Sequence, residues 1–138
     1  MISKEDFKKE EFYWLKSKTN KFFLGKEIFI IIETKSDFEE PLPDIYNDQI
    51  KILNLVLPNW EMLETQIEKE ILNYELIPKE EFIKVFHKPH IRMYMDMENE
   101  KPLGNNKWSF NVGVNANEDF GWYCDFEGLD CIETGAGD

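Results

Sequence analysis

The sequence predicts an α+β fold, an antiparallel sheet of about five or six strands with a pair of consecutive helices packed on one face. Three observations carry that expectation. In residues 107–133, Trp108, Phe110, Val112 and Val114 alternate with Ser109, Asn111, Gly113 and Asn115, and Trp122, Cys124 and Phe126 alternate with Tyr123, Asp125 and Glu127. That period of two is the pattern of strands with one buried and one wet face. Residues 45–74 instead repeat apolar positions at three and four, the pattern of amphipathic helices. Residues 28–32 form a β-branched and aromatic run, which suits a strand covered on both faces.

Taken in order, residues 3–18 read as a loose or helical start followed by a strand near 12–16, so that the first twenty residues are the least ordered part of a single domain spanning 1–138. Gly25 and Lys26 suit a hairpin turn ahead of the 28–33 strand. A charged, proline-punctuated connection follows over residues 36–43. Asp44 is placed to cap a first helix, on which Ile45, Gln49, Ile52, Leu53 and Val56 share a face. Pro58 ends that helix, because proline cannot continue the hydrogen-bond ladder. Asn59 is placed to cap a second helix, with Trp60, Leu63, Ile67, Ile71 and Tyr74 along its apolar stripe. Residues 79–87 suit one or two helical turns, and Pro89 breaks them. Met93, Met95 and Met97 then alternate with Tyr94 and Asp96 as a further strand whose methionines face the core. The chain closes in a three-strand meander, with Gly121 and Gly128 where positive φ is needed. The expected core draws on Ile28, Ile30, Trp60, Leu63, Ile67, Ile71, Met93, Met95, Phe110, Val112, Trp122 and Phe126.

Composition bounds the function. The chain has 138 residues with 42% hydrophobic and 14% aromatic content, enough to build a core without metal or disulfides. Cys124 and Cys131 are too few for a disulfide framework and read as a reduced, buried pair. There is no N-terminal apolar run of signal length, so a cytoplasmic location without a membrane partner is expected. The net charge is −12, and it is uneven: residues 1–36 hold eight lysines against six acids, residues 37–138 eight basic residues against 22 acids. From Trp108 onward there are seven acids and no lysine or arginine. Such a surface repels phosphate backbones, which argues against nucleic acid, and attracts a basic protein partner. Arg92 is the one arginine among 16 basic residues, and abundant Lys, Asn and Ile suggest an AT-rich bacterial genome.

Motifs for chemistry are sparse. His87 and His90 are three apart but straddle Pro89, which argues against a metal-binding helix. Cys124 and Cys131 lack the spacing of a zinc knuckle. Asn115, Asn117 and Asp119 open like a calcium loop, but Phe120 stands where the EF-hand requires glycine and Phe126 where it requires glutamate. No phosphate-binding loop, dinucleotide fingerprint, nucleophile elbow or zinc-protease motif is present. The expectation is therefore a non-enzymatic protein without cofactor or metal.

Gly25-Lys26, Gln49, Tyr74, Trp108, the run Glu118-Asp119-Phe120-Gly121-Trp122, Phe126-Glu127-Gly128 and Gly135 to Gly137 together resemble a group of uncharacterised bacterial domains found among toxin-immunity proteins. The likeness runs over roughly residues 20–138. Others of this look carry His before the glycine where this chain has Asp119-Phe120, so a site built on that His does not carry over. The resemblance implies a small acidic domain that neutralises a basic toxin. Its docking face would hold Glu118, Asp119, Tyr123, Asp125, Glu127 and Asp130, the acids giving association rate and Tyr123 an anchor. Two rivals remain. A small-ligand binder or carboxylate-dependent hydrolase requires a deep concavity at the meander, and a structural subunit requires a large exposed apolar patch.

Overall fold

Strands drawn from both ends of the chain meet in one sheet, with the helices inserted between them. The computed structural model describes residues 1–35, 41–115 and 117–137, with the side chains of Asn117 and Glu118 outside that description. Most of the 36–43 connection expected from the sequence therefore lies outside the described residues. After a 3-10 turn at Lys4–Asp6 come β1 (Lys8–Lys9) and β2 (Trp14–Lys16), a ribbon of β3 (Phe22–Phe23) and β4 (Lys26–Glu27), and β5 (Phe29–Ile32). Helices α1 (Asn47–Val56), α2 (Trp60–Glu75) and α3 (Lys79–Val85) follow. Then come β6 (Phe86–Met93), a second ribbon of β7 (Met95–Asp96) and β8 (Lys101–Pro102), and the meander β9 (Lys107–Val114), β10 (Asn117–Glu127) and β11 (Asp130–Gly137).

Among the described residues the main sheet has seven strands, in the order β1-β2-β5-β6-β9-β10-β11. All its pairs are antiparallel except β5 with β6, which run parallel because the three helices intervene and return the chain to the same end. The fold is thus α+β with an antiparallel-dominated sheet, as expected. Among the described residues it has more strands than expected and one parallel pair, and the turns expected over 79–87 form a third helix at Lys79–Val85. Lys8–Lys9 has no apolar alternation to betray it as a strand, and a parallel pairing between residues as distant in sequence as Phe29 and His90 leaves no local trace.

Local signals were partly displaced by tertiary ones. The hairpin turn is at Leu24 and Gly25, both with positive φ, rather than at Gly25 and Lys26. Asp44 does not cap α1; its Oδ1 accepts the N–H of Ile45, and the helix begins three residues later. Gln49 takes over that end: its Oε1 accepts the N–H of Tyr46 and its Nε2 donates to the Glu33 carbonyl just past β5. A fully buried glutamine thereby fastens the start of α1 to the sheet. Asn59 does not cap α2 either; its amide donates to the Leu55 carbonyl, and a 3-10 turn at Leu57–Asn59 carries α1 into α2.

The three described helices bury apolar residues in one cluster, against Ile30, Ile91, Phe110, Cys124 and Phe126 of the sheet, but Tyr74, expected on the stripe of α2, is exposed. Stacked rings fill it: Phe82 lies 4.9 Å from Phe86 and Trp108 4.3 Å from Phe126. All 12 core residues expected from the sequence are buried. Met97 is not part of the row expected of it; at 77% exposure it lies beyond β7, in solvent. No helix among the described residues is long and apolar enough to cross a membrane.

Candidate functional site

Strand register places three rows of side chains across the face of the sheet opposite the helices. One row reads Phe29, His90, Asn111, Tyr123, Gly135. The next reads Ile31, Arg92, Ser109, Asp125, Glu133. The third is His87, Gly113, Gly121, Gly137. Three glycines in register bring no side chains of their own to that part of the face, and the His87 imidazole covers only the first of them. A hollow of about 820 Å³ opens there, lined from β6, β9, β10 and β11.

The glycines are needed for different reasons. A Cβ on Gly113 would stand 2.5 Å from His87 Nε2, so the imidazole lies over that glycine. A Cβ on Gly135 would meet the Tyr123 hydroxyl at 2.5 Å, so the Tyr123 ring lies across β11. Gly121 is not at positive φ, contrary to the sequence expectation; it is glycine because a Cβ would collide with the Val112 carbonyl of the neighbouring strand. Gly128 does have positive φ, at 61°.

Alternation alone would put His87 and His90 on opposite faces. A bulge between them, with Lys88 at φ 51°, returns His90 to the open face. Pro89 therefore lies inside β6 and does not break it. The Lys88 carbonyl accepts the Nδ1 proton of His90 at 2.8 Å, which leaves Nε2 as the bare nitrogen. The ring stacks on Phe29 at 4.7 Å, and burial lowers its pKa to about 4, with the charge of Arg92 adding to the effect. His90 is a neutral acceptor at physiological pH.

Arg92 donates from Nη2 and Nε to Glu33 Oε2, at 2.7 and 2.9 Å, and its guanidinium lies 5.4 Å from the Tyr94 ring. Burial raises the Tyr94 pKa, with Glu33 and Asp125 adding to it. The charge of Glu133 raises that of Tyr123. Both phenols are therefore neutral hydrogen-bonding groups. The buried side-chain nitrogen of Asn111 lies near Tyr94 and makes no hydrogen bond of proper geometry among the described residues.

The structure divides the six residues expected to form one docking face. Asp119, Tyr123 and Asp125 line the hollow. Glu127 and Asp130 lie at the far end of β10, around a separate shallow depression beside Asn105 and Asn106. Eight residues of strand, about 25 Å, separate Asp119 from Glu127. The side chain of Glu118 lies outside the described residues. Asp125 accepts a short hydrogen bond from the buried Ser109 hydroxyl, so one carboxylate oxygen holds the sheet together.

Sequence reasoning also missed residues. Lys88, Arg92 and Lys107 line the hollow with Asp119, Asp125 and Glu133, three cations against three carboxylates. The cations come from β6 and the start of β9, the acids from β10 and β11, so the hollow is split by charge rather than uniformly acidic. Lys88 and Arg92 meet the acids only through the pairing of β6 with β9, which no local pattern encodes, whereas Lys107 lies on β9 itself. Cys124 and Cys131 are free thiols on the helix side, both near the Thr134 hydroxyl. Burial pushes Cys124 up to about 12, so it is not a nucleophile. Cys131, read from the sequence as buried, is only half-buried. No group of three or more His, Cys, Asp or Glu side chains suited to a metal occurs among the described residues. Comparison with protein-family models, with curated proteins and with solved structures returns no match.

Proposed function

We propose that the chain is a non-enzymatic binding module, of the kind that neutralises a basic protein partner such as a toxin, and that the partner docks on the hollowed face of the sheet. The observation that supports this reading is the set of carboxylates that β10 and β11 present on the face away from the helices, with Asp119 and Glu133 exposed and two neutral tyrosines beside them. Carboxylates at the rim would speed encounter with a basic surface, and the tyrosines would supply contact area at low entropic cost. Glu127 and Asp130, at the far end, would act through long-range attraction rather than through contact. A second reading, a receptor for a small molecule, is favoured by the volume of the hollow, which falls in the usual range for ligand pockets, roughly 300–1,000 Å³.

The test is co-purification at low ionic strength from cells expressing the neighbouring genes. Asp125 is a poor position to reverse, because its loss would release Ser109. Asp119→Lys with Glu133→Lys reverses two exposed charges instead. The wild type is expected to retain one basic protein, and the double variant to associate with it at least about ten-fold more slowly. Retention at an unchanged rate rules the docking reading out.

A further inference from the structure

We infer that the open edge of β11 accepts an extended basic segment of the protein partner as a further strand of the main sheet. This rests on the docking reading above for the charge of the partner, and it adds the way in which the partner is held. The two edges of the sheet carry it, because they are built in opposite ways. One edge is β1, two residues long and both of them exposed lysines. A strand so short and so charged is a common guard against pairing with another chain. The other edge is β11, eight residues without a lysine, arginine or proline.

Backbone groups are what this edge offers. Among the described residues β11 pairs with β10 alone, regularly over 133–137, and a bulge sets Ile132 off from that run. In an antiparallel pair every second residue turns its N–H and C=O away from the neighbouring strand. The outward groups of 133–137 meet no other backbone among the described residues, and the one side-chain contact is the Cys131 thiol, 3.7 Å from the Glu133 carbonyl. An added strand pairs with that row through its own main chain, whatever its sequence. Side chains then select the sequence. Glu133 lies on the open face beside Asp125 and the Tyr123 hydroxyl, and neither it nor the exposed Asp130 is paired with a cation among the described residues. A lysine or arginine of the incoming strand fits beside Glu133. Thr134 and Ala136 are small and lie in register with Cys124 and Trp122 on the helix side, so apolar β-branched residues fit between the basic ones. A second copy is the poorer occupant, because two β11 strands side by side would set acids against acids on molecules that each carry −12.

The test is an amide-shift titration of the full 138-residue protein with three peptides, followed by hydrogen exchange. The first peptide is acetyl-Lys-Val-Lys-Val-Lys-Val-amide. The second is the same chain with every backbone nitrogen methylated, which keeps the charge and removes the donors. The third carries glutamate in place of each lysine. The first is expected to saturate, to shift the amides of 133–137, and to slow exchange at the outward ones by at least about ten-fold. The methylated and the acidic peptides are expected to bind at least about ten-fold more weakly, one for want of donors and the other for want of positive charge. Ile132→Lys with Glu133→Lys sets two lysines at exposed positions of the edge, so the shifts of β6 and β9 are expected to stay as they are while binding of the first peptide is lost.

Equal binding of the methylated peptide overturns the inference, since charge alone would then hold the ligand, and equal binding of the acidic one overturns the choice of a basic strand. Shifts that leave 133–137 unmoved, or unaltered binding by the double-lysine protein, overturn it as well. So does a dimer in sedimentation whose outward β11 amides are protected before any peptide is added, because a second copy then holds the edge. If a basic partner is captured by co-purification while no peptide binds, the docking reading stands and the strand-accepting edge is wrong. If the first peptide pairs with β11 and no partner is captured, the reverse holds.

Discussion

His90 shows how one side chain can tie stability to pH. Its ring packs on Phe29 and bonds the bulged backbone at Lys88 while one edge lines the hollow, and burial lowers its pKa from 6.5 to about 4. The folded protein therefore resists a proton that the unfolded chain accepts. The stabilisation is fully present above about 6.5, and it is lost progressively as pH falls toward 4, because there the unfolded state binds more protons. Between pH 7 and 5 the loss amounts to about 2 kcal/mol. Glu27 and Asp96, whose pKa values are lowered by their hydrogen bonds, act below this window and do not obscure it. In urea titrations His90→Gln is expected to lose much less stability than the wild type over that interval. Equal losses in both proteins would show that the imidazole charges without penalty.

Elements depart from their local signals where tertiary contacts are stronger. The meander was legible because three strands joined by short turns keep their alternation in sequence. Trp108, Phe110, Trp122 and Phe126 face the helices as their spacing requires. The extent of β6 was not legible: Pro89 argues against a strand, and only the left-handed Lys88 and the bulge reconcile it with pairing on both sides. Both predicted helix caps failed because Asp44 and Asn59 bond elsewhere. The end of α2 supplies a direct test of such competition. Leu76 closes that helix at φ 56°, with 87% of its surface exposed, where glycine is the usual residue. Its side chain contributes little burial, and its backbone is strained. Leu76→Gly is expected to raise stability by about 0.5–1 kcal/mol, read as a higher thermal midpoint, because glycine enters the left-handed region without steric cost. A lower midpoint would mean that the leucine makes contacts worth more than its strain.

Across the whole molecule, the acidic half of the candidate site could be read from the sequence and the basic half could not. Asp119, Asp125 and Glu133 come from adjacent strands of one meander, whereas Lys88 and Arg92 join them through the β6–β9 pairing. Around that balanced hollow the molecule still carries a net charge of −12. Its surface ion pairs, such as Lys18 with Glu27 and Lys21 with Glu61, are mostly exposed and contribute little. Self-repulsion among the acids is therefore the larger long-range effect, and salt screens it: the Debye length falls from about 30 Å at 0.01 M to about 3 Å at 1 M. Raising sodium chloride across that range is expected to stabilise the isolated protein by about 1 kcal/mol, measured as a rise in its urea midpoint. The same salt is expected to slow docking to a basic partner, because there the attraction is between unlike charges. The opposite signs separate the two processes, so a partner lost at high salt is not lost through unfolding. A midpoint that falls with salt would mean that the ion pairs, led by Arg92 with Glu33 at 2.7 Å, outweigh the repulsion of the acidic surface.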